Sequence, residues 1–472
     1  MKLSSKRAGV VRRAGVHAAV SMLLLSSASA AMADAPLPAR HLEPNTLVPE
    51  GVVRYAPTGF PDRIVATPLQ DASTGFSVSW RTDDAVDAPV LEIAVANESP
   101  DQWDGDIPPR RVAAGTRPLA TANGVAHHHH AVVDGLLPGT LYAWRVQGDR
   151  TWSPWRQLRT AAPAGTPLEF LYIGDTQNKN ASLVTRVMHE AVRHASDAHL
   201  VLFAGDLVSE AVDDDEWGEW FDATGPLATM AFAPAPGNHE FFKEHEDTPQ
   251  ERRVLGEPWK AHFALPGNGV GDVEASTYWF DYQGIRFVVI DGTSLLDLDA
   301  GAAQAQWLDE VLSANPHRWS IVLIHQPFYS PRADRVNTEL REHLQPVIEQ
   351  HRVDLVLQGH DHVYGRRSGE AGATPVYTVS VAGPKQYRLS PDAKGTMSPV
   401  GEDTQLFQVL RLDGNRLSYQ ARTVTGRLYD AFVLVDDGGV GKRLEEQREG
   451  RIDERACERL QTLGGRADRC WE

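Results

Sequence analysis

The stretch Leu168-Glu-Phe-Leu-Tyr-Ile-Gly-Asp-Thr-Gln177 decides the fold of the larger part of the chain, because an apolar run ends abruptly in a glycine and a carboxylate. Four further apolar runs also end in polar residues, and they are followed by Asp206, by Asn238-His239, by His325 and by His360-Asp361-His362. Amphipathic stretches such as 182–195 and 338–351 separate these runs. Continuous Val/Ile/Leu strands that alternate with helices are typical of an α/β domain whose sheet is buried on both faces. We therefore predict an α/β domain over residues 166–437.

The residues that follow the five runs form one candidate site, since ligands of open α/β sheets bind outside the carboxyl ends of the strands. They supply two carboxylates, an amide oxygen and four imidazoles: Asp175, Asp206, Asn238, His239, His325, His360 and His362. Such mixed oxygen and imidazole donors suit Mn, Fe or Zn rather than a metal that prefers thiolates. Two ions about 4 Å apart would clamp the attacking and leaving oxygens of an in-line displacement. His239 directly follows Asn238, so its imidazole can face a substrate and protonate a leaving oxygen.

Residues 52–160 show a different pattern, with short strands and turn signals between them. Phe76-Ser-Val-Ser-Trp80 alternates apolar and polar positions, and Leu137-Pro-Gly-Thr-Leu-Tyr142 resembles the tyrosine corner of β-sandwich domains. We predict a fibronectin type III-like β-sandwich over residues 55–162, with a structural or docking role. The run His127–His130 lies in this region, and strand alternation sends two of its rings to each face. We therefore interpret it as a solvated or domain-packing strand and not as a four-histidine metal site.

Both ends of the chain carry signals of export. Residues 1–33 combine a basic head, a short apolar stretch and small A-x-A residues, which predicts a signal peptide rather than a membrane span. Residues 34–54 are rich in Pro and Ala and are interpreted as a linker, and 438–472 as a charged helical tail. Cys457 and Cys470 would pair in an oxidising compartment, with free thiols as the alternative. These features predict a periplasmic or secreted protein without stable membrane insertion, and a retained N-terminal anchor is the alternative.

The net charge of −17 argues against nucleic acid as a partner, because phosphate backbones are bound through basic surfaces. A small phosphorylated substrate stays compatible with this charge, since bound metal ions reverse the local field. The sequence carries no signal for an oligomeric state.

The ordered set GD, GD, GNHE, H and GHDH resembles the calcineurin-like metallophosphoesterases, and specifically their purple acid phosphatase branch, over residues 55 to about 435. GNHE alone is a weak signal, but the ordered set with a strand before each member is specific. The resemblance implies a four-layer α/β/β/α sandwich behind the β-sandwich domain. It also implies two metal ions, which would be Fe, Mn or Zn. The first would be held by Asp175, Asp206 and His362, and the second by Asp206, Asn238, His325 and His360. A metal-bridging hydroxide would then attack a phosphomonoester with His239 as the general acid.

Two positions depart from the pattern of the resembling family. Metallophosphoesterases commonly carry D-x-H at the first motif, where this chain has Gln177, and purple acid phosphatases carry a tyrosine three residues after the bridging aspartate, where it has Ser209. Gln177 is therefore either a neutral oxygen ligand or a hydrogen-bonding neighbour of the ligands. We expect a weakened first metal site and no visible tyrosinate band.

Two alternatives to a phosphomonoesterase follow from these residues. The same site could hydrolyse phosphodiesters, or the protein could be a non-catalytic binding protein whose first metal site has decayed. The departures at Gln177 and Ser209 favour the second alternative slightly. The retained His239 and the complete second ligand set favour an enzyme, because a decaying site has no reason to keep the acid.

Overall fold

The computed structural model describes residues 44–100, 108–332, 335–369, 374–439, 441–456, 462–463 and 466–467. The predicted signal peptide, the first part of the predicted linker and both cysteines lie outside these ranges. Among the described helices, none has the length and apolar character needed to cross a membrane.

The N-terminal domain consists of two antiparallel four-stranded sheets, with strand orders β1-β2-β6-β5 and β4-β3-β7-β8. The strands are β1 (Asp62–Pro68), β2 (Phe76–Asp83), β3 (Val90–Val95), β4 (Arg110–Ala113), β5 (Gly115–Thr121), β6 (Gly124–Val133), β7 (Leu141–Val146) and β8 (Arg156–Arg159). Trp80 and Trp144 are buried between the sheets. The backbone N–H of Leu137 donates to the Tyr142 hydroxyl at 2.9 Å, which confirms the predicted tyrosine corner.

The four histidines of β6 alternate between the faces of its sheet as predicted. His127 and His129 contact residues of the sandwich, and His129 Nε2 lies 2.8 Å from the Thr82 hydroxyl. On the other face, His130 Nε2 donates to the Ala261 carbonyl at 2.7 Å, and the His128 ring meets His262 at 4.9 Å between centroids. The prediction of a domain-packing strand is therefore confirmed for this face.

The C-terminal domain contains two mixed seven-stranded sheets, with strand orders β11-β10-β9-β21-β22-β23-β24 and β14-β15-β16-β17-β19-β18-β20. The strands of the first sheet are β9 (Leu168–Ile173), β10 (Leu200–Phe203), β11 (Ala231–Pro234), β21 (Leu406–Asp413), β22 (Arg416–Thr423), β23 (Leu428–Val435) and β24 (Arg443–Glu446). Those of the second are β14 (Tyr278–Tyr282), β15 (Ile285–Ile290), β16 (Trp319–Ile324), β17 (Leu355–Gln358), β18 (Tyr364–Ser368), β19 (Val376–Val379) and β20 (Val400–Gly401). The small hairpins are β12 (Phe241–Glu244) with β13 (Arg252–Leu255), and β25 (Thr462–Leu463) with β26 (Arg466–Ala467).

The helices of this domain are α1 (Thr185–His194), α2 (Asp214–Ala223), α3 (Glu257–His262), α4 (Gly292–Asp297), α5 (Gly301–Ser313), α6 (Thr338–Gln350) and α7 (Ala393–Thr396). They form the outer layers, because alternate side chains of the buried strands face in opposite directions. In β9, Phe170 and Tyr172 face the second sheet, whereas Leu171 and Ile173 face the core beneath α1, α2 and α3. In β15, Val288 and Ile290 face α4, α5 and α6. The four-layer α/β/β/α fold is therefore confirmed.

Parallel pairing places the ends of the central strands at one edge. Strands β9, β10 and β11 are parallel in the first sheet, and β15, β16, β17 and β19 are parallel in the second. The Tyr172 hydroxyl joins the sheets, because it accepts from the backbone N–H of Gln358 at 3.0 Å and donates to the carbonyl of the same residue. The loops that carry the candidate ligands therefore open on a common rim.

The helical interpretation of the tail is wrong where the structure describes it. Strand β24 pairs antiparallel with β23, and residues 447–456 contain no helix. Leu444 packs against the main core, and Glu445 pairs with Arg416 on the neighbouring strand. Edge pairing of this kind satisfies the backbone and partly buries an apolar side chain, so tertiary contacts override the local helical preference of a charged sequence.

The acidic run 213–216 begins α2, and the carboxylates of Asp214 and Glu216 are buried. Asp213 caps the helix by accepting from the backbone N–H groups of Asp215 and Glu216. Asp214 is only 3% exposed and pairs with Arg63 at 2.6 Å and with Arg81 at 3.2 Å. Both arginines belong to the sandwich, so this carboxylate joins the two domains.

Candidate metal centre

The loops after the parallel strands bring the predicted ligands together in two groups. Asp206, His325 and His360 form one group, and Asp175, Asp206 and His362 form the other, each with its ligand atoms within 4.8 Å of one another. Asp206 belongs to both groups. Following the order of metals that the family resemblance implies, we call Asp175, Asp206 and His362 the first group. Asp206, His325 and His360 are the second group.

The backbone at these positions is held in an uncommon conformation. Asp206, His360 and His362 have φ values of 50°, 72° and 51°, in the left-handed region that side chains other than glycine rarely adopt. Such conformations persist where surrounding contacts fix them, and they concentrate at functional sites. Gly359 permits the close approach at the rim, because a Cβ there would lie 2.4 Å from a carboxylate oxygen of Asp175.

Two histidines are set in the tautomer that a metal requires. The Nδ1–H of His325 donates to the Ala204 carbonyl at 2.7 Å, and that of His362 donates to the Lys385 carbonyl at 2.7 Å. Carbonyl oxygens only accept, so Nε2 of each ring faces the carboxylates. Metal-binding histidines are commonly oriented by such a bond from the other ring nitrogen.

Imidazoles, and no lysine or arginine of the described residues, pair with the buried carboxylates. Asp175 and Asp206 are at most 1% exposed, and the cations within salt-bridge distance are imidazoles, with His325 Nε2 lying 3.2 Å from Asp206 Oδ2. Burial raises the pKa of Asp175 to about 8, and the Asp206 carboxylate acts in the same direction. Burial opposes the ionisation of Asp206, yet His325 keeps its pKa below the ordinary value. Burial would lower the pKa of His325, but the two carboxylates raise it to about 9. The cluster therefore favours added positive charge.

Asn238 supports the fit of the second group to a metal ion. Its Oδ1 atom is buried and has no hydrogen-bond partner among the described residues. An orphaned amide oxygen costs free energy unless something binds it. With Asp206, His325 and His360 it would make a four-donor set of oxygen and imidazole atoms, which suits Mn, Fe or Zn.

Gln177 lies beside the first group with its amide nitrogen towards the ligands. Its Nε2 donates to Asp206 Oδ2 at 2.6 Å and lies 3.2 Å from His362 Nε2, while its Oε1 accepts from Lys385 Nζ at 3.1 Å. In this orientation the amide presents a hydrogen-bond donor to the first group, and its oxygen faces away from the ligands. The assignment of Gln177 as a metal ligand stays a prediction, and it requires the amide to turn over.

His239 is held next to the shared carboxylate. Its backbone N–H donates to Asp206 Oδ1 at 2.9 Å, and its Nδ1–H donates to the Ser209 carbonyl at 2.6 Å. These bonds fix the ring and leave Nε2 as the nitrogen that can carry a proton to a substrate. Ser209 thus orients the ring through its backbone, while its own hydroxyl oxygen is buried without a hydrogen-bond partner among the described residues.

Glu240 is a positioning residue that the sequence did not identify. It is fully buried and accepts from the backbone N–H groups of Asp206, Leu207 and Gly237, at 2.9, 2.8 and 2.6 Å. The carboxylate therefore ties the loop after β10 to the loop after β11. Its place as the last residue of GNHE is the signal that could have identified it.

Family models match both domains of the chain. The calcineurin-like phosphoesterase model matches residues 168–364, and the purple acid phosphatase N-terminal domain model matches residues 61–160. The chain therefore carries a calcineurin-like phosphoesterase domain behind a purple acid phosphatase N-terminal domain.

Curated relatives agree with this assignment. An uncharacterized protein of Mycobacterium tuberculosis is 27% identical over 340 residues, which cover 64% of this chain and 61% of that protein. Purple acid phosphatase 22 of Arabidopsis thaliana is 26% identical over 50% of this chain and 53% of its own length. Purple acid phosphatase 23 of the same organism is 24% identical over 70% of this chain and 79% of its own length. The chain thus spans 61% of the length of the first of these relatives and 53% of the second.

Solved structures share the fold at low sequence identity. A purple acid phosphatase isolated from yellow lupin seeds superposes with a TM-score of 0.65 and 18% identity, covering 79% of this chain and 74% of that chain. The structure of PhoD superposes with a TM-score of 0.57 and 13% identity, covering 85% of this chain and 94% of that chain. At these identities the likeness concerns the fold alone.

Proposed function

We propose that this protein is an exported, metal-dependent phosphoesterase that acts on small phosphomonoesters. The observation that carries the proposal is the position of Asp206, which belongs to both ligand groups and also accepts from the backbone N–H of His239. One carboxylate thus ties two metal positions to a candidate proton donor. The family and the purple acid phosphatase relatives support the same activity.

The second group with Asn238 would hold one ion, and the first group would hold the other. Metal ions at such sites supply an activated water and neutralise the charge that develops on a phosphoryl group. The chain itself prepares the site by excluding water from the carboxylates, since Asp175 and Asp206 are almost completely buried. It also presets the two imidazoles, because His325 and His362 donate their Nδ1–H groups to backbone carbonyls.

His239 would protonate the leaving oxygen. Its ring is partly exposed, unlike those of His325 and His362, and the Ser209 carbonyl fixes its orientation. A protonated imidazole beside the reacting phosphate lowers the cost of expelling an alkoxide. Export is proposed from the sequence of residues 1–33, and N-terminal sequencing of secreted protein tests it, with an intact Met1 as the contrary outcome.

The activity is tested with the purified full chain, stripped of metal and then loaded with Mn²⁺, Zn²⁺ or Fe²⁺ in turn. We expect metal-dependent release of phosphate from a panel of phosphomonoesters, and slower turnover of phosphodiesters. Tight metal binding without hydrolysis of any ester would favour the non-catalytic alternative. Faster turnover of diesters than of monoesters would replace the proposed substrate class.

A further inference from the structure

Lys385 connects two parts of the first group that are distant in sequence. Its carbonyl accepts from His362 Nδ1 at 2.7 Å, and its ammonium donates to Gln177 Oε1 at 3.1 Å. The preceding residues anchor this loop, because the backbone N–H groups of Ala382 and Gly383 donate to the Asp175 carbonyl at 3.0 and 2.6 Å. The ammonium is therefore held beside the amide by a fixed backbone.

The chemistry of an ammonium decides which end of the Gln177 amide lies beside it. A lysine has donors and no acceptor, so the amide atom next to Lys385 is the oxygen. The nitrogen then points at Asp206 Oδ2 and at His362 Nε2, at 2.6 and 3.2 Å. Asp206 and His362 are two of the three members of the first group. The amide N–H groups and a metal ion would therefore compete for the same ligand atoms.

Turning the amide over would make Gln177 an oxygen donor, but it is unfavourable while Lys385 is present. The turned amide would place its nitrogen against the ammonium and lose a charge-assisted hydrogen bond. Gln177 is completely buried, so water cannot replace that bond. An aromatic contact keeps the loop in place, since the Tyr387 ring lies 4.8 Å from the His362 ring between centroids.

We propose that Lys385 is a positioning residue that locks Gln177 as a donor and thereby keeps the first metal position weak. The protein then binds one ion tightly at the second group, and it binds an ion at the first group only at a higher metal concentration. This inference rests on the proposed metal-dependent function and deepens it. It concerns metal stoichiometry, which is measured without substrate.

The test is a titration of Mn²⁺ into the metal-free full chain by calorimetry, with the spin-coupled signal of paired Mn²⁺ ions as a second readout. We expect Lys385→Met to raise the affinity of the first group for Mn²⁺ by about tenfold, the scale of a lost charge-assisted hydrogen bond. Lys385→Arg keeps the charge and the donors, and it should retain the weak site. In the Gln177→Leu background, Lys385→Met should change the Mn²⁺ affinity of the first group by less than about threefold, because the amide through which Lys385 acts is gone.

Two outcomes overturn the proposal. If Lys385→Met leaves the Mn²⁺ affinity of the first group unchanged, Lys385 does not hold Gln177 as a donor. If Lys385→Met raises that affinity equally in both backgrounds, Lys385 acts by charge alone and not through the amide. Gln177→Met replaces Gln177→Leu should the latter fail to fold. Failure of the proposed function shows differently, as the absence of any tight ion or as no ester hydrolysis by fully loaded protein.

Discussion

Two buried polar clusters, one between the two domains and one at the rim of the C-terminal domain, differ in how their charges are balanced. At the interface with the sandwich, Arg63 and Arg81 meet Asp214, and Arg81 also pairs with Asp62 at 2.6 Å. Two guanidinium groups thus face two carboxylates. At the rim, the carboxylates of Asp175 and Asp206 have only imidazoles beside them among the described residues. A cluster whose guanidinium groups balance its carboxylates holds domains together, whereas buried carboxylates with imidazoles beside them are suited to bind cations.

The largest expected effect is that of Asp206→Asn, which removes the carboxylate that both ligand groups share. We expect loss of bound metal and a fall in turnover on the order of a thousandfold, as for groups that stabilise transition-state charge. Elemental analysis and steady-state kinetics measure the two effects. Retention of both ions at wild-type affinity would contradict the role of Asp206 as the shared ligand.

Asp214→Asn tests the interface cluster. It removes the carboxylate that pairs with the buried Arg63 guanidinium and leaves Arg81 with Asp62, and we expect it to lower the free energy of unfolding by about 3 kcal/mol. Urea unfolding measures this loss, while metal content at low temperature should not change. Asp222→Asn on the same helix is the matched control, because its pair with Arg54 is about half exposed and contributes at most about 1 kcal/mol. Equal losses in both variants would mean that burial does not distinguish these pairs.

His239→Ala should slow turnover by roughly a hundredfold on an ester with a poor leaving group, the scale of general-acid loss. The metal content should stay that of the wild type, because His239 belongs to neither ligand group. An ester with a good leaving group serves as the control, since its departure needs little protonation and the effect should be smaller. Wild-type rates on the poor leaving group would refute the role of His239.

The buried histidines of the interface predict acid sensitivity. Burial lowers the pKa of His128 and of His262 well below the ordinary value of 6.5, with Arg63 adding to the effect at both rings. Below pH 6.5 the unfolded chain takes up protons that the folded protein refuses, so stability falls as the pH falls. Between pH 7 and 5 the free energy of unfolding should fall by about 2 kcal/mol less in His128→Phe than in the wild type, as measured by urea unfolding of metal-free protein.

The matched control for this pH effect is His189→Gln. His189 is exposed on α1, so its ring stays in solvent in both states, and its removal should leave the pH slope unchanged. An unchanged slope in His128→Phe would show that His128 takes no part in the acid sensitivity.

The smallest effect is spectroscopic. The colour of the resembling family comes from a tyrosinate on ferric iron, and Ser209 stands at that tyrosine position. We expect the protein loaded with Fe³⁺ to show no visible tyrosinate band, and Ser209→Ala to change neither the spectrum nor the metal content. A strong visible band in the wild type would disprove the correspondence between Ser209 and the family tyrosine.

The sequence by itself determined the fold class and the members of the rim. Each candidate ligand directly follows an apolar strand, so its place is encoded within a few residues, and parallel pairing brings the strand ends to one edge. The tyrosine corner and the alternation of the histidines in β6 are local in the same sense. The residues that the structure brings together as Asp175, Asp206, His325, His360 and His362 are those that the strand ends predicted.

Only the tertiary structure decided which charges are balanced and by what. Lys385 reaches Gln177 across 208 residues, and Arg63 reaches Asp214 across 151. No local pattern encodes such pairs, because they depend on how separate strands and loops come together. The same reason explains the error at the C-terminal tail, where a charged segment formed an edge strand because β23 offered a partner. Strand periodicity is a property of neighbouring residues, whereas charge balance is a property of the assembled fold.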